Sequence, residues 1–316
     1  MNIEELIAHG WQQHAGDAEG VLQRLREAAG SITEIRHLPA FASLVVHVTG
    51  EHLGRWSEGI ELLRRLEGLP VFDPASTEGR VVLRSRAVLH HCAGESEEER
   101  RCLEAGRSGG DHPEASDRVR VLAIAASALA GQGKVEEASR DLEEALALAA
   151  YGPAKDDPAA RALAVTGNNL ACVLEERPTL TSAERALMLR AAQAGLDFWR
   201  IAGGWMEEER AFYRLALSNL KAGEAKAALE HARRCLEIVE ANGSDPVESF
   251  FAHEALARSL HALGAAADVI REREAMIGLL PVIDDASMRE YCREELTKMD
   301  QQLSLAEPGA DVPTAG

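Results

Sequence analysis

Aromatic side chains make up only 4% of this 316-residue chain, against 46% hydrophobic residues overall. A core drawn from that supply is aliphatic and alanine-rich, which suits helices packed closely through small residues. Alternating runs of β-branched residues, the mark of half-buried strands, are missing. No stretch approaches about 18 consecutive apolar residues, so no membrane-spanning helix is expected. The first residues, MNIEELIAHGW, have neither the basic region nor the apolar run of a secretory signal. Five cysteines (Cys92, Cys102, Cys172, Cys235 and Cys292) are odd in number, scattered and without a C-x-x-C pair, so they read as free, mostly buried thiols. Lysine and arginine are outnumbered 34 to 52 by acidic residues, for a net charge of -18 and no basic run, which disfavours a nucleic-acid partner. These absences leave an all-α protein expected in the cytoplasm, with neither a membrane nor a nucleic acid as partner.

What is present is periodic. Residues 117–148 read as two amphipathic helices joined at Gly133, with Leu122, Ala125, Ala126 and Leu129 striping the first and Ala138, Leu142, Ala145 and Leu146 the second. Ala126 and Ala138 stand where the two helices must approach, and a leucine there would overpack by roughly 1–3 kcal/mol. A lone hairpin cannot cover its outer apolar side, so similar hairpins must stack on it.

Copies of that plan run the length of the chain. Residues 3–14 and 17–29 form a first pair, with Asp17 as a cap. Ser31 with Glu34 reads as a capping box opening a helix that runs toward 52, with a turn at Gly54 and a partner helix over 56–66. A connector with Pro70 and Pro74 follows, and then a helix that breaks at Gly94 and a short one opened by Ser96 and Glu99. Residues 106–116, GRSGGDHPEAS, are where a hinge is expected if the solenoid has one. Asp157-Pro158 and Asp245-Pro246 are cap-plus-proline starts, Thr181 with Glu184 is a capping box, and Gly223 and Gly264 are turns. Asp284 or Asp285 caps a last helix to about 303, and a disordered tail is expected over 305–316. The turn glycines Gly54, Gly94 and Gly133 recur at roughly 40 residues, as do Gly223 and Gly264. The expected fold is all-α: a right-handed α-solenoid of about seven antiparallel hairpins plus a C-terminal capping helix, as one domain over 1–304.

The pattern of Leu122, Ala125-Ala126, Leu129, Ala138 and Leu142, repeated more loosely by Phe212, Leu215-Ala216, Ala228 and Ala232, resembles the tetratricopeptide repeat. Asn168-Asn169-Leu170-Ala171 is similar to the first-helix signature of the long repeats in kinesin light chains and related bacterial solenoids. A HEAT-type solenoid is the alternative on period alone. Against it stands a small residue five positions after the turn glycine: Gly59 after Gly54, Ala138 after Gly133, Ala228 after Gly223. The resemblance implies a non-catalytic scaffold or adaptor that binds a protein or peptide in a concave groove lined by first helices. The alternative is a sensory module whose superhelix changes pitch on binding a peptide or small ligand and acts through a separate output protein.

Placing the hairpins in register turns Asn169, Arg210, Arg214 and Arg258 toward that groove, with Asn168, Tyr213 and His261 nearby. Asn169, Arg210 and Arg214 match the carboxylate clamp of chaperone-adaptor tetratricopeptide domains, whose forked donors grip carboxylates. The resemblance thus implies a partner with an acidic segment or a free C-terminal carboxylate. Ala123 and Ser127 stand where the family has lysine and asparagine, so the match is partial. The other reading is a solvated face on which the arginines pair with Glu207, Glu208 and Glu254. Arg210 and Arg214 lie one turn apart, where like charges cost about 0.2–0.5 kcal/mol, so something must compensate.

No glycine-rich nucleophile loop or phosphate loop occurs, and no enzymatic activity or cofactor is expected. His90-His91-Cys92 with Cys102 lacks the spacing of a zinc site, and adjacent helical histidines face different ways. It reads as one buried and one solvated histidine, and no metal is expected. Trp11, Trp56, Trp199 and Trp205 read as packing between neighbouring hairpins.

Overall fold

The computed structural model describes residues 2–107 and 114–304, and among these it has fifteen α-helices and no strand. They pair in chain order: α1 (Ile3–Gln13) with α2 (Ala18–Ala28), α3 (Leu38–Val46) with α4 (Trp56–Glu67), and α5 (Thr77–Cys92) with α6 (Ser96–Ala105). The central pairs are α7 (Glu114–Gly131) with α8 (Val135–Leu148) and α9 (Pro158–Glu175) with α10 (Ser182–Ala202). Then come α11 (Trp205–Ala222) with α12 (Ala225–Ala241) and α13 (Pro246–Ala262) with α14 (Ala266–Leu279), before α15 (Ala286–Gln302) closes the stack. The result is an all-α solenoid of seven hairpins and a terminal helix. The expected hinge falls largely, and the expected tail wholly, outside the described residues.

Backbone conformation explains the regular turns. Gly54, Gly94, Gly133, Gly223 and Gly264 all have φ between 62° and 85°, a left-handed conformation that a side chain disfavours. The close-contact positions five residues on are also filled as the pattern requires: Ala138 and Ala228 are fully buried, and a methyl on Gly59 would strike Thr49 and Leu89. Hairpin three departs, because Glu99 occupies that position and is buried all the same. It is held by Arg118 and by His91, whose Nδ1 lies 3.1 Å away.

The odd-numbered helices touch their successors from α1 to α15, whereas the even-numbered helices meet one another extensively only at α8 and α10. The row whose members lie closer is the inner side of a curved stack, so the first helices line the concave face. α9 and α10 cross closely, and a methyl on Gly167 would fall 2.5 Å from the backbone of Ala191 and Gly195.

Several local expectations change. Ser31 and Glu34 do not open a helix: Ser31 Oγ donates to the Ala28 carbonyl at 2.7 Å, Glu34 pairs with Arg36, and α3 starts only at Leu38, where Pro39 occupies the first turn. Ser96 does not cap α6, since its presumed partner Glu99 turns inward. The Thr181–Glu184 capping box and the Asp157, Asp245 and Asp285 caps are as read from the sequence. Trp56, Trp199 and Trp205 pack against the core, but Trp11 is 40% exposed. The helix running toward 52 is not uniform, because α3 passes into a π-helical turn over His47–His52.

Candidate functional site

Seven side chains expected at the groove lie on α9, α11 and α13, three successive helices of the concave row. The two arginines one turn apart on α11 reach in opposite directions: Arg214 goes back to Glu175 on α9, and Arg210 goes forward to Glu248 on α13. That division compensates their repulsion. Glu175 also accepts from Ser218 Oγ, and Arg214 Nε lies 3.4 Å from Asn168 Oδ1. Burial raises the Glu175 carboxyl above its ordinary pKa, and the Arg214 charge pulls it back.

A second knot joins Tyr213 and Arg258. Glu254, almost wholly buried, accepts from the Tyr213 hydroxyl at 2.9 Å and from Arg258 Nε at 2.8 Å, while Arg258 also donates to Gln302 of α15 at 2.6 Å. Burial, and then the Glu254 charge, push the Tyr213 phenol well above its usual range, so it stays a donor. Asn169 and His261 are exposed, and Asn169 Oδ1 accepts from Asn168 Nδ2 at 3.1 Å. Of the acids expected to neutralise this face, Glu254 does so. Glu207 instead caps α11 through the Gly204 N–H at 2.8 Å, and Glu208 pairs with Arg200. Sequence reasoning missed Glu175 and Glu248, which lie one hairpin before and one after the arginines they hold.

The three arginines therefore differ in availability. The Arg210 side chain is 61% exposed, against 19% for Arg214 and 18% for Arg258. Beneath Arg210 lies Glu209, fully buried, whose Oε1 accepts from Cys235 Sγ at 2.8 Å. Burial, with the neighbouring Glu248 charge adding to it, pushes the Glu209 carboxyl up to about 8.

The five cysteines are free, and all but half-buried Cys172 are buried. Burial raises every one of these thiols, Cys92 to about 12 and Cys172 to about 11, so none is an activated thiolate. Of the two histidines expected to be one buried and one solvated, His90 is buried against Glu95, and His91 is half-buried and bridges Glu99 and Asp141 at 3.1 and 2.9 Å. Three other histidines do converge: one ring nitrogen each of His14, His47 and His52 lies within 4.8 Å of the other two.

No protein-family model matches the chain, and no curated protein does. Among solved structures it is similar to BtubC (BKLC) from P. vanneervenii, at 14% identity over 90% of this chain and 98% of that one, with a TM-score of 0.40. It is also similar to an assembly chaperone of RpL4, Acl4 (residues 1-338), at 18% identity over 96% and 100% of the two chains, with a TM-score of 0.36. No helix among the described residues is long and apolar enough to cross a membrane.

Proposed function

We propose that this chain is a non-catalytic, tetratricopeptide-like scaffold that binds a protein segment in its concave groove, with hairpins five to seven as the principal contact. The observation that carries the reading is the polar ladder on α9, α11 and α13, in which Arg210 stands largely exposed over a buried carboxylate partner. A guanidinium fork held at its base by Glu248 keeps donors free for a second carboxylate, and forked donors fit carboxylates bidentately. Asn168, Asn169, Tyr213, Arg214, Arg258 and His261 would complete the contact, with Arg214 and Arg258 fixed by Glu175 and Glu254. The preferred partner is an acidic segment or a free C-terminal carboxylate.

Calorimetry of the full chain with a panel of peptides ending in acidic residues tests this. At least one peptide is expected to bind more tightly than about 1 mM, and Arg210→Lys should weaken it roughly tenfold, or about 1.4 kcal/mol, by removing the fork while keeping the charge. Equal affinity of Arg210→Lys and wild type, or no binding at all, overturns the proposal.

A further inference from the structure

The π turn at the end of α3 arranges two histidines that an ordinary helix would separate. At 3.6 residues per turn, side chains five positions apart point about 140° away from each other. A π turn bonds residue i to i+5 and sets the fifth residue above the first. His47 and His52 are so related, and their Nε2 atoms lie 3.1 Å apart. The turn is held in place from several sides. Thr49 Oγ1 bonds back to the Val45 carbonyl at 2.7 Å, and Gln132 Nε2 donates to the Glu51 carbonyl at 2.7 Å. Gly131 lets α7 approach so closely that a methyl there would lie 2.5 Å from the same carbonyl oxygen. Single π turns inside helices are rare and occur frequently at functional sites.

The third histidine comes from another hairpin. His14 follows the last residue of α1, with its ring centroid 4.7 Å from that of His47 and 5.0 Å from that of His52. Hydrogen bonds fix the tautomers of two of the rings. His14 Nδ1 sits 2.7 Å from the Trp11 carbonyl oxygen and His47 Nδ1 2.9 Å from a Glu51 carboxylate oxygen. Both acceptors can only accept, so each Nδ1 carries the hydrogen, which in the neutral ring leaves the lone pair on Nε2. An outer carbonyl or carboxylate on the far ring nitrogen is the arrangement that orients metal-ligating histidines. In its neutral form His52 exposes the Nε2 lone pair by carrying its hydrogen on Nδ1. Zinc bonds imidazole at about 2.0–2.1 Å in tetrahedral geometry, which requires nitrogens about 3.3 Å apart. The His47–His52 pair at 3.1 Å is close to that value, all three nitrogens lie within 4.8 Å of one another, and the Trp11 ring, centred 5.0 Å from that of His47, forms an apolar wall.

We propose that His14, His47 and His52 form a site for one divalent transition-metal ion of the zinc class, bound through three imidazole nitrogens with water in the fourth position. Three imidazoles without a thiolate suit zinc, copper or nickel, and an all-nitrogen set disfavours magnesium and calcium. The ion would staple hairpin one to hairpin two at the N-terminal end of the solenoid. Because it binds only where both hairpins are docked, it stabilises the folded chain.

Titration of the metal-free full chain with cobalt chloride and zinc chloride tests the site, with calorimetry for stoichiometry and the visible absorption of tetrahedral cobalt for geometry. One ion per chain is expected. His14→Ala and His52→Ala should each weaken binding by thirtyfold or more, Glu51→Gln by about tenfold through loss of the orienting carboxylate, and His9→Ala, on α1 outside the cluster, not at all. Zinc should raise the thermal midpoint of wild type and of His9→Ala but not of the cluster variants, whose fold is checked by circular dichroism. Binding weaker than about 1 mM, a stoichiometry other than one, or affinity within twofold of wild type for either His14→Ala or His52→Ala overturns the proposal. The three rings are then only a packed aromatic group.

Discussion

The groove at hairpins five to seven and the histidine cluster at hairpins one and two solve opposite problems. In the groove, Arg210, Arg214 and Arg258 are each held by a glutamate from the same or a neighbouring helix, so the charges are settled before any partner arrives. In the cluster, three imidazoles turn toward one another, while their outer nitrogens, in His14 and His47, are tied to a carbonyl and a carboxylate. A settled charge gives rigidity. Converging lone pairs give a surface that becomes complete only with a cation. The difference is one of packing, since both regions draw on polar side chains of successive first helices.

The largest effect expected is in the groove. Glu254→Ala removes the shared acceptor of the Tyr213 hydroxyl and the Arg258 guanidinium. Loss of one partner from a buried pair costs roughly 3–5 kcal/mol, read as a fall in the urea midpoint. A loss under about 1 kcal/mol would show that this knot is solvated and erase the contrast. At the cluster, Gly131→Ala forces a methyl against the Glu51 carbonyl and should cost roughly 1–3 kcal/mol by overpacking. The same substitution should weaken cobalt binding, because the strained carbonyl belongs to the π turn that carries His47 and His52. Unchanged metal affinity with lowered stability would separate the turn from the site.

The pH profile sharpens the comparison further. Glu209 is protonated in the folded chain at pH values where the unfolded chain has lost the proton, because its pKa rises from 4.5 to about 8. The stability this contributes is fully present below the ordinary carboxylate pKa and is lost as pH rises through the folded value. Urea midpoints should therefore fall between about pH 5 and about pH 9, and Glu209→Gln should flatten that part of the profile. An equally steep fall in Glu209→Gln would assign the slope to another group. The smallest expected change is the stability of Arg210→Lys, within about 1 kcal/mol of wild type because the pair is largely exposed on the arginine side. Its peptide affinity carries the information instead.

Much of the architecture was legible in the sequence for local reasons. Glycine is the residue that enters the left-handed region freely, so Gly54, Gly94, Gly133, Gly223 and Gly264 marked the turns of five of the seven hairpins. Asp157 and Asp245 marked helix starts because each carboxylate caps N–H groups of a first turn in which proline needs no partner. The seven candidate residues, chosen by placing the repeats in register, lie on α9, α11 and α13. Their partners were not legible, because Glu175 and Glu248 lie about one hairpin away and their choice depends on how adjacent hairpins slide against each other. Ser31 and Glu34 show the same limit from the other side, since a valid local signal lost to Pro39 and to the packing of α3.

By itself, then, the sequence determined the helical period, the five glycine turns and the small residues at the crossings, all set by interactions within a few residues. Tertiary structure decided which charges pair, that Glu99 could be buried where the repeat wants a small side chain, and that Trp11 lies at the surface. It also decided the histidine cluster. His47 and His52 are five apart and point away from each other in any ordinary helix, and His14 belongs to a different hairpin. Only a π turn clamped by Thr49, Gly131 and Gln132 brings the three rings together, and that clamp exists only once α7 has packed against hairpin two.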